Sequence, residues 1–257
     1  MLLALDIGNS QILGGVFKED KILFKFRKTS KGYTSDEFGI FFKSVLRENG
    51  ITPKKISQIA ICSVVPGLIY PLYQSAVKYF NIEPFIIQPG IKTGLNLKYK
   101  NPQEIGSDRI ANAIGATKLF ESKNTIIVDL GTATTFCIIS AEKEYLGGII
   151  MPGLKISMEA LAMETAKLPK VEILKPENLV GKSTVEAIQS GLYFSHLLAM
   201  KGIVAKIKKE YFKETDITII GTGGFSKIFE NDKVFDYINP DLVLIGINAA
   251  IKMSENK

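Results

Sequence analysis

The sequence predicts an α/β protein of two similar lobes, and three observations carry that prediction. The first is the stretch "LLALDIGNS", Leu2 to Ser10, in which an apolar run leads straight into Asp6 and then Gly8. A strand buried on both faces explains the run. It does not explain a carboxylate at its end, or a glycine that lets backbone come close to something else. The second is the return of that grammar about one domain length later, in "TIIVDLGTATT", Thr125 to Thr135. The third is the order that follows each: strand, Asp-Gly loop, strand, turn, strand, helix. Two lobes facing each other across a cleft are the simplest account. No low-complexity segment separates them, so the join is tight, dividing the chain into 1–116 and 117–257.

The elements follow in order. Leu2–Asp6, Ile12–Phe17 and Lys21–Lys28 read as three antiparallel strands, the last two joined by a turn at Lys18 to Lys21. Thr34 and Glu37 have the capping-box spacing and open a helix that Gly50 stops. Gln58–Val64 is a strand. Pro66–Phe80 is a helix, with a kink expected near Pro71. Pro84–Ile87 is a short strand, and a polar loop from Pro89 to Glu104 leads into a helix from Ser107 to Glu121. The pattern then restarts with strands at Thr125–Leu130, Thr134–Ser140 and Tyr145–Ile150. Helices are expected from Pro152 and over Thr184–Lys209. Asp216–Gly224 is a strand entering a glycine loop. A short helix, a short strand and a last helix, Asp241–Met253, complete the chain.

Composition narrows the class. A chain of 257 residues that is 46% hydrophobic has ample material for a core. Cys62 and Cys137 each lie inside an apolar, strand-like run; they read as buried thiols, which fits a reducing cytosol. The N-terminus has no basic leader pattern. The late apolar run Leu242–Ile251 is far shorter than the roughly 20 residues a membrane span needs. The expectation is a cytoplasmic protein with no membrane partner. The net charge of +6 comes almost wholly from lysine; Arg27, Arg47 and Arg109 are the arginines. Lysines such as Lys206, Lys208 and Lys209 read as a solvated helix face, and no basic stripe interleaved with aromatics occurs. Nucleic acid is therefore not an expected partner, whereas a mildly positive surface suits an anionic substrate.

The two Asp-Gly loops suggest phosphate chemistry. A tight turn of glycine and small hydroxyl residues presents backbone N–H groups of the kind that hold phosphate oxygens. Aspartate itself repels phosphate, but it can hold a bridging cation, commonly as part of a hydrated Mg²⁺ shell. The bland alternative is a capped turn at each place, and the repetition argues against it. A third loop, Gly221 to Ser226, is not G-x-G-x-x-G, and no G-x-x-x-x-G-K-[ST] occurs, so neither a dinucleotide fold nor a Walker-type NTPase is expected. In "NPQEIGSDRIANAIGA", Asn101 to Ala116, Asp108 and Arg109 fall in the first turn of a helix. Asp108 there either complements the helix dipole or accepts a proton from a substrate hydroxyl; Arg109 is either solvated or clamps a carboxylate. The one histidine, His196, sits on an apolar helix and reads as a packed or interface residue, which removes most Ser-His-Asp and His-ligated metal mechanisms.

The segments "DIGNS", "KNPQEIGSDRIANAIGA", "VDLGTATT", "GGIIMPG", "TAKLPKVE", "GKSTVEAIQSG" and "TGG", in this order, resemble the type III pantothenate kinases. These belong to the acetate/sugar kinase–Hsp70–actin superfamily. The likeness runs from about Leu3 to Lys227, and "GSDR" with "DLGTATT" is its most specific part. It implies two ribonuclease H-like (actin-like) lobes with a central cleft, each a mixed five-stranded sheet flanked by helices. It also implies ATP-dependent phosphorylation of pantothenate, the first step towards coenzyme A, by a homodimer that uses Mg²⁺ and a monovalent cation, K⁺ or NH₄⁺.

Carried over residue by residue, Asp6, Ile7, Gly8, Asn9, Ser10, Gln11, Ile12 and Leu13 form the first phosphate loop, with Asp6 organising Mg²⁺ through water. Asp108 is the proton acceptor. Tyr99, Gly106, Ser107, Asp108, Arg109 and Thr184 frame pantothenate; Asp129 holds the monovalent cation and Thr132 contacts ATP. Three departures stand out. The family usually has Thr at Ser10, Ala at Ser107 and, in many members, a basic residue at Leu13. The last removes a side-chain charge from the phosphate loop. The competing readings are another small-molecule kinase of the superfamily, which would not be expected to share "NPQEIGSDR", and a non-catalytic regulator of transcription, which loss of the aspartates would favour.

Overall fold

The computed structural model describes residues 1–213 and 216–255. They form two compact units. Unit 1 is Met1–Leu119 together with the chain from Leu242 onward, and unit 2 is Phe120–Asp241. The sequence reading has a single division at 116/117, so it differs at the last helix, which packs in unit 1.

Unit 1 holds strands β1 (Leu2–Ile7), β2 (Gln11–Lys18), β3 (Lys21–Thr29), β4 (Gln58–Ser63), β5 (Phe85–Ile87) and the short β6 (Asn96–Leu97). Its helices are α1 (Ser35–Glu48), α2 (Pro66–Phe80) and α3 (Ser107–Leu119). The sheet order is β3-β2-β1-β4-β5. β1 pairs antiparallel with β2 and parallel with β4. As the central strand β1 is buried on both faces, which is why it reads as an unbroken apolar run, whereas the outer strand β3 alternates exposed and half-buried positions.

α1 starts where the capping box places it: Thr34 Oγ1 accepts from Glu37 N at 3.2 Å, and Glu37 Oε2 accepts from Thr34 N at 2.8 Å. Pro66 opens α2 at a position whose N–H has no helical partner anyway, and the helix runs past Pro71 to Asn81, which ends it in the left-handed region at φ 55°. The core packs Leu3, Leu5 and Ile7 against Phe38, Phe42 and Leu46 of α1 and Leu68 and Leu72 of α2.

Unit 2 holds β7 (Asn124–Leu130), β8 (Ala133–Ile139), β9 (Glu144–Pro152), α4 (Leu154–Glu164), α5 (Thr184–Tyr211), β10 (Ile217–Thr222) and β11 (Tyr237–Ile238), in the order β11-β10-β7-β8-β9. β7 pairs antiparallel with β8 and parallel with β10, as β1 does with β2 and β4. The internal repeat is therefore topological, with Asp6 and Asp129 on equivalent strands. The register of β8 and β9 shifts between Ile138 and Ile139, beside Gly147 at φ 139°. α5 is capped by Ser183, whose side chain accepts from Glu186 N. Its buried residues, including Tyr193, Leu197 and Met200, join Ile126, Val128 and Phe136 in the core.

α6 (Leu242–Glu255) explains the return to unit 1. It is apolar nearly all round, as a helix with no exposed stripe must be. It lies against α3 so closely that a Cβ on Gly246 would stand 1.7 Å from the Ala111 carbonyl oxygen. Asp20, in the turn between β2 and β3, fastens both helices through Lys118 and through Lys252 at 2.9 Å; hydrogen bonding to these two lysines lowers its carboxyl to about 2. Among the described residues no helix is long and apolar enough to cross a membrane.

Candidate functional site

In unit 1, β1 delivers Asp6 to its C-terminal end, and the chain turns through Gly8, Asn9 and Ser10 before β2 begins at Gln11. Gly8 N donates to Gln11 O at 3.1 Å, which closes the turn, and Asn9, Ser10 and Gln11 are exposed. Ile7, Ile12 and Leu13 point their side chains into the core, so any contact they make with a ligand is through backbone. Asp6 stands opposite Cys62 of β4 in the parallel register, and Ile7 opposite Ser63.

That register brings in the second motif. Ser107 Oγ donates to the Ser63 carbonyl oxygen at 2.8 Å, docking the first turn of α3 on the end of β4. A hydroxyl at position 107 thus anchors the turn. Ile110 N donates to Gly106 O at 3.1 Å, and the Asp108 carboxylate accepts from Arg109 N at 2.7 Å. The thiol of Cys62 reports what surrounds it. Burial pushes it well above the usual thiol range, and the charges of Asp6 and Asp108 add to the rise. Burial also raises the Asp108 carboxyl above its ordinary value, opposed by its hydrogen bond from the Arg109 backbone and by the Arg109 charge. Arg109 is 6% exposed, which rules out the solvated reading of that residue. Tyr99 lies in the same unit, half-buried, between β6 and the turn that precedes α3.

In unit 2 the equivalent turn is one residue shorter. Leu130 pairs with Thr134, whereas in unit 1 Ile7 pairs with Ile12. Gly131 N donates to Ala133 O at 3.1 Å. Asp129 stands opposite Thr222 of β10 in the parallel register. The next residue, Gly223, lies over it at φ 84°, where a Cβ would stand 2.3 Å from Asp129 Oδ1. Only glycine allows both that backbone conformation and that approach. Phe225 N donates to Leu130 O at 3.1 Å, so the Gly221–Ser226 loop is tied to the same turn. In sequence the glycine pair of that loop reads as a place for a flat adenine to lie against backbone; its neighbour in the structure is Asp129. Thr132 is half-buried in the turn.

Thr184 is exposed at the first residue of α5 and lines a groove of about 760 Å³ between α4 and α5, with Ser157, Leu161, Ile188 and Leu192. The structure therefore groups Asp6, Gly106, Ser107, Asp108 and Arg109 in unit 1, and Asp129 and Thr132 with Gly223 in unit 2. Among the described residues no three of His, Cys, Asp and Glu cluster as a protein-only metal cage. A carboxylate at a strand end is a donor that suits hydrated or phosphate-bridged cations.

The profile of a family described as type III pantothenate kinase matches residues 2–206. A type III pantothenate kinase of Legionella pneumophila (strain Paris) is 56% identical over 254 residues, covering 99% of each chain. Two solved structures share the fold. A 2-dehydro-3-deoxygalactonokinase protein from Sinorhizobium meliloti superposes with a TM-score of 0.63 at 11% identity, covering 100% of this chain and 98% of its own. A Campylobacter jejuni protein named for the Baf family of transcriptional activators gives 0.59 at 22% identity, covering 99% of this chain and 100% of its own. At those identities they show a shared actin-like, ribonuclease H-like architecture and nothing about activity.

Proposed function

The chain belongs to the type III pantothenate kinase family, and on that premise we propose that it transfers the γ-phosphoryl group of ATP to the primary hydroxyl of pantothenate, giving 4′-phosphopantothenate and ADP for coenzyme A synthesis. The observation that carries the reading is Asp108: a partly buried carboxylate with a raised pKa, beside a buried arginine in the first turn of α3. A carboxylate so placed suits a general base whose proton affinity must rise towards working pH.

In this mechanism Asp108 takes the hydroxyl proton as the substrate oxygen forms its bond to the γ-phosphorus. The bond to the β–γ bridging oxygen breaks, and the electron pair leaves with ADP. Arg109 orients pantothenate through its carboxylate, with Tyr99, Gly106 and Ser107 beside it in unit 1, and Thr184 is the pantothenate contact assigned to unit 2. Backbone N–H groups of the Gly8–Gln11 turn take phosphate oxygens, Asp6 would hold hydrated Mg²⁺, and Thr132 contacts ATP. When bound, Mg²⁺ offsets the charge that spreads over the phosphoryl oxygens. Positioning supplies most of the rate.

Asp129 would hold the monovalent cation. The fit rests on its carboxylate lying beneath the Gly223 backbone, in a space that any side chain at 223 would close. A carboxylate beside a phosphate-binding turn needs a counter-cation to offset repulsion. The exposed apolar side chains Met163, Leu179, Val180 and Leu198 of unit 2 support the homodimer, and a cytoplasmic location follows from the reaction proposed.

The test is mass spectrometry of the product formed by pure protein from ATP, Mg²⁺ and pantothenate, with K⁺, NH₄⁺, Na⁺ or a bulky organic cation as the only monovalent salt. Phosphopantothenate with K⁺ or NH₄⁺, and a sharp fall with the others, is the expected result. No product in any salt would sink the kinase reading; equal rates in all salts would remove the cation from Asp129.

A further inference from the structure

His196 has no part in the site described so far. It lies on α5 in unit 2 and is 3% exposed. Its Nδ1 is 2.9 Å from the carbonyl oxygen of Leu192, one turn back on the same helix. Its Nε2 is 3.1 Å from the carbonyl oxygen of Pro152, the last residue of β9. Carbonyl oxygens only accept, and a neutral imidazole has one N–H to give. A proton on Nε2 goes to Pro152, whereas a proton on Nδ1 goes back to Leu192, a carbonyl that a regular helix already supplies with a backbone N–H.

Pro152 leads directly into Gly153, which precedes α4. A Cβ on Gly153 would stand 2.3 Å from the Thr132 carbonyl oxygen and 2.8 Å from that of Gly131. The backbone at Gly153 therefore rests on the Gly131–Thr132 turn with no side chain between them. The path from imidazole to turn is one hydrogen bond, one peptide and one backbone contact, all inside unit 2. Packed interiors transmit such displacements because no void absorbs them.

We infer that His196 is a positioning residue for the nucleotide turn: its imidazole clamps the Pro152 carbonyl and, through Gly153, fixes where Thr132 meets ATP. The inference rests on the reading of Thr132 as an ATP contact. It assigns His196 of α5 a job in the reaction, distinct from its burial in the core.

The experiment compares His196→Phe and His196→Gln in the full-length protein. Phenylalanine fills the space without a donor, while the glutamine amide can donate to Pro152. Steady-state kinetics are measured for each substrate, alongside light scattering and thermal melting. His196→Phe should raise KM for ATP about three- to tenfold, the loss of one net hydrogen bond. KM for pantothenate should stay within about twofold, and His196→Gln should restore most of the loss. Should His196→Phe fold poorly, His196→Asn, which falls short of Pro152, is read in the same way. An unchanged KM for ATP in a folded variant overturns the inference, as does an equal rise in both KM values without rescue by glutamine. Thr132→Val run in parallel separates the two readings. If it raises KM for ATP while His196→Phe does not, the clamp fails and the ATP contact stands; if neither does, the contact itself is wrong.

Discussion

At the scale of single residues, Asp108 makes opposite demands on activity and stability. Burial raises its carboxyl above the ordinary 3.8, so the folded state holds its proton to higher pH than the unfolded chain does. Over that window stability falls as pH rises, and above it the ionised, desolvated carboxylate remains a cost. Activity runs the other way, because the base must be ionised. The acid limb of kcat/KM should therefore lie above the pH at which an unperturbed aspartate titrates. Asp108→Asn should lower kcat by about 10²- to 10⁴-fold while leaving ATP affinity and melting temperature near wild type. Lost helix-dipole stabilisation, a few tenths to about 1 kcal/mol, offsets the relief of desolvation. A near-normal kcat would reduce Asp108 to a helix-start residue. Arg109 is buried, so truncation would confound binding with folding; Arg109→Lys keeps the charge and loses the fork, and it should raise KM for pantothenate more than it lowers kcat. The first turn of α3 was legible in the sequence because glycine, a small hydroxyl residue and aspartate are local signals. The placing of Asp6 opposite Cys62, next to the strand end that receives Ser107, was not, because it depends on the parallel register of β1 and β4.

At the scale of elements, legibility follows the same division between local and distant causes. The capping box at Thr34, the hairpin turn at Glu19 and the alternation of β3 each come from neighbours in sequence, and each stands where the pattern puts it. The repeat was legible as grammar and holds as sheet order. The partner of α6 was not legible. Its sequence shows an apolar helix, while the reason it belongs with α3 is the backbone approach at Gly246 and Gly115, more than a hundred residues apart in sequence. That contact yields a prediction of definite sign. Gly246→Ala improves helix propensity by about 1 kcal/mol, yet it must drive a methyl group into the Ala111 carbonyl. Overpacking of this kind costs about 1–3 kcal/mol, and more where backbone must shift. Urea unfolding should therefore show a lower midpoint with an unchanged slope. A raised midpoint would mean that α6 slides freely on α3.

At the scale of the whole molecule, the unresolved balance is between charge and apolar surface. The chain carries +6 at neutral pH, which disfavours bringing two copies together. Against this, unit 2 exposes large apolar side chains on α4, α5 and the segment between them: Met163 at 77%, Val180 at 77% and Leu198 at 65%. Single exposed leucines need no explanation, but a set on neighbouring elements marks an interaction surface. A stable dimer needs about 800 Å² of surface buried on each protomer, and these exposed side chains are a reasonable core for it. The two terms respond oppositely to salt. Screening weakens the repulsion between protomers, with a Debye length of about 8 Å at physiological ionic strength, and leaves apolar burial in place. Light scattering at micromolar concentration should give about twice the 28.3 kDa chain mass, and dissociation on dilution should recede as salt rises. Met163→Glu combined with Leu198→Glu should shift the protein towards monomer. A monomeric wild-type protein with full activity would overturn the dimer, and a dimer loosened by salt would mean that ion pairs, not this apolar face, hold it.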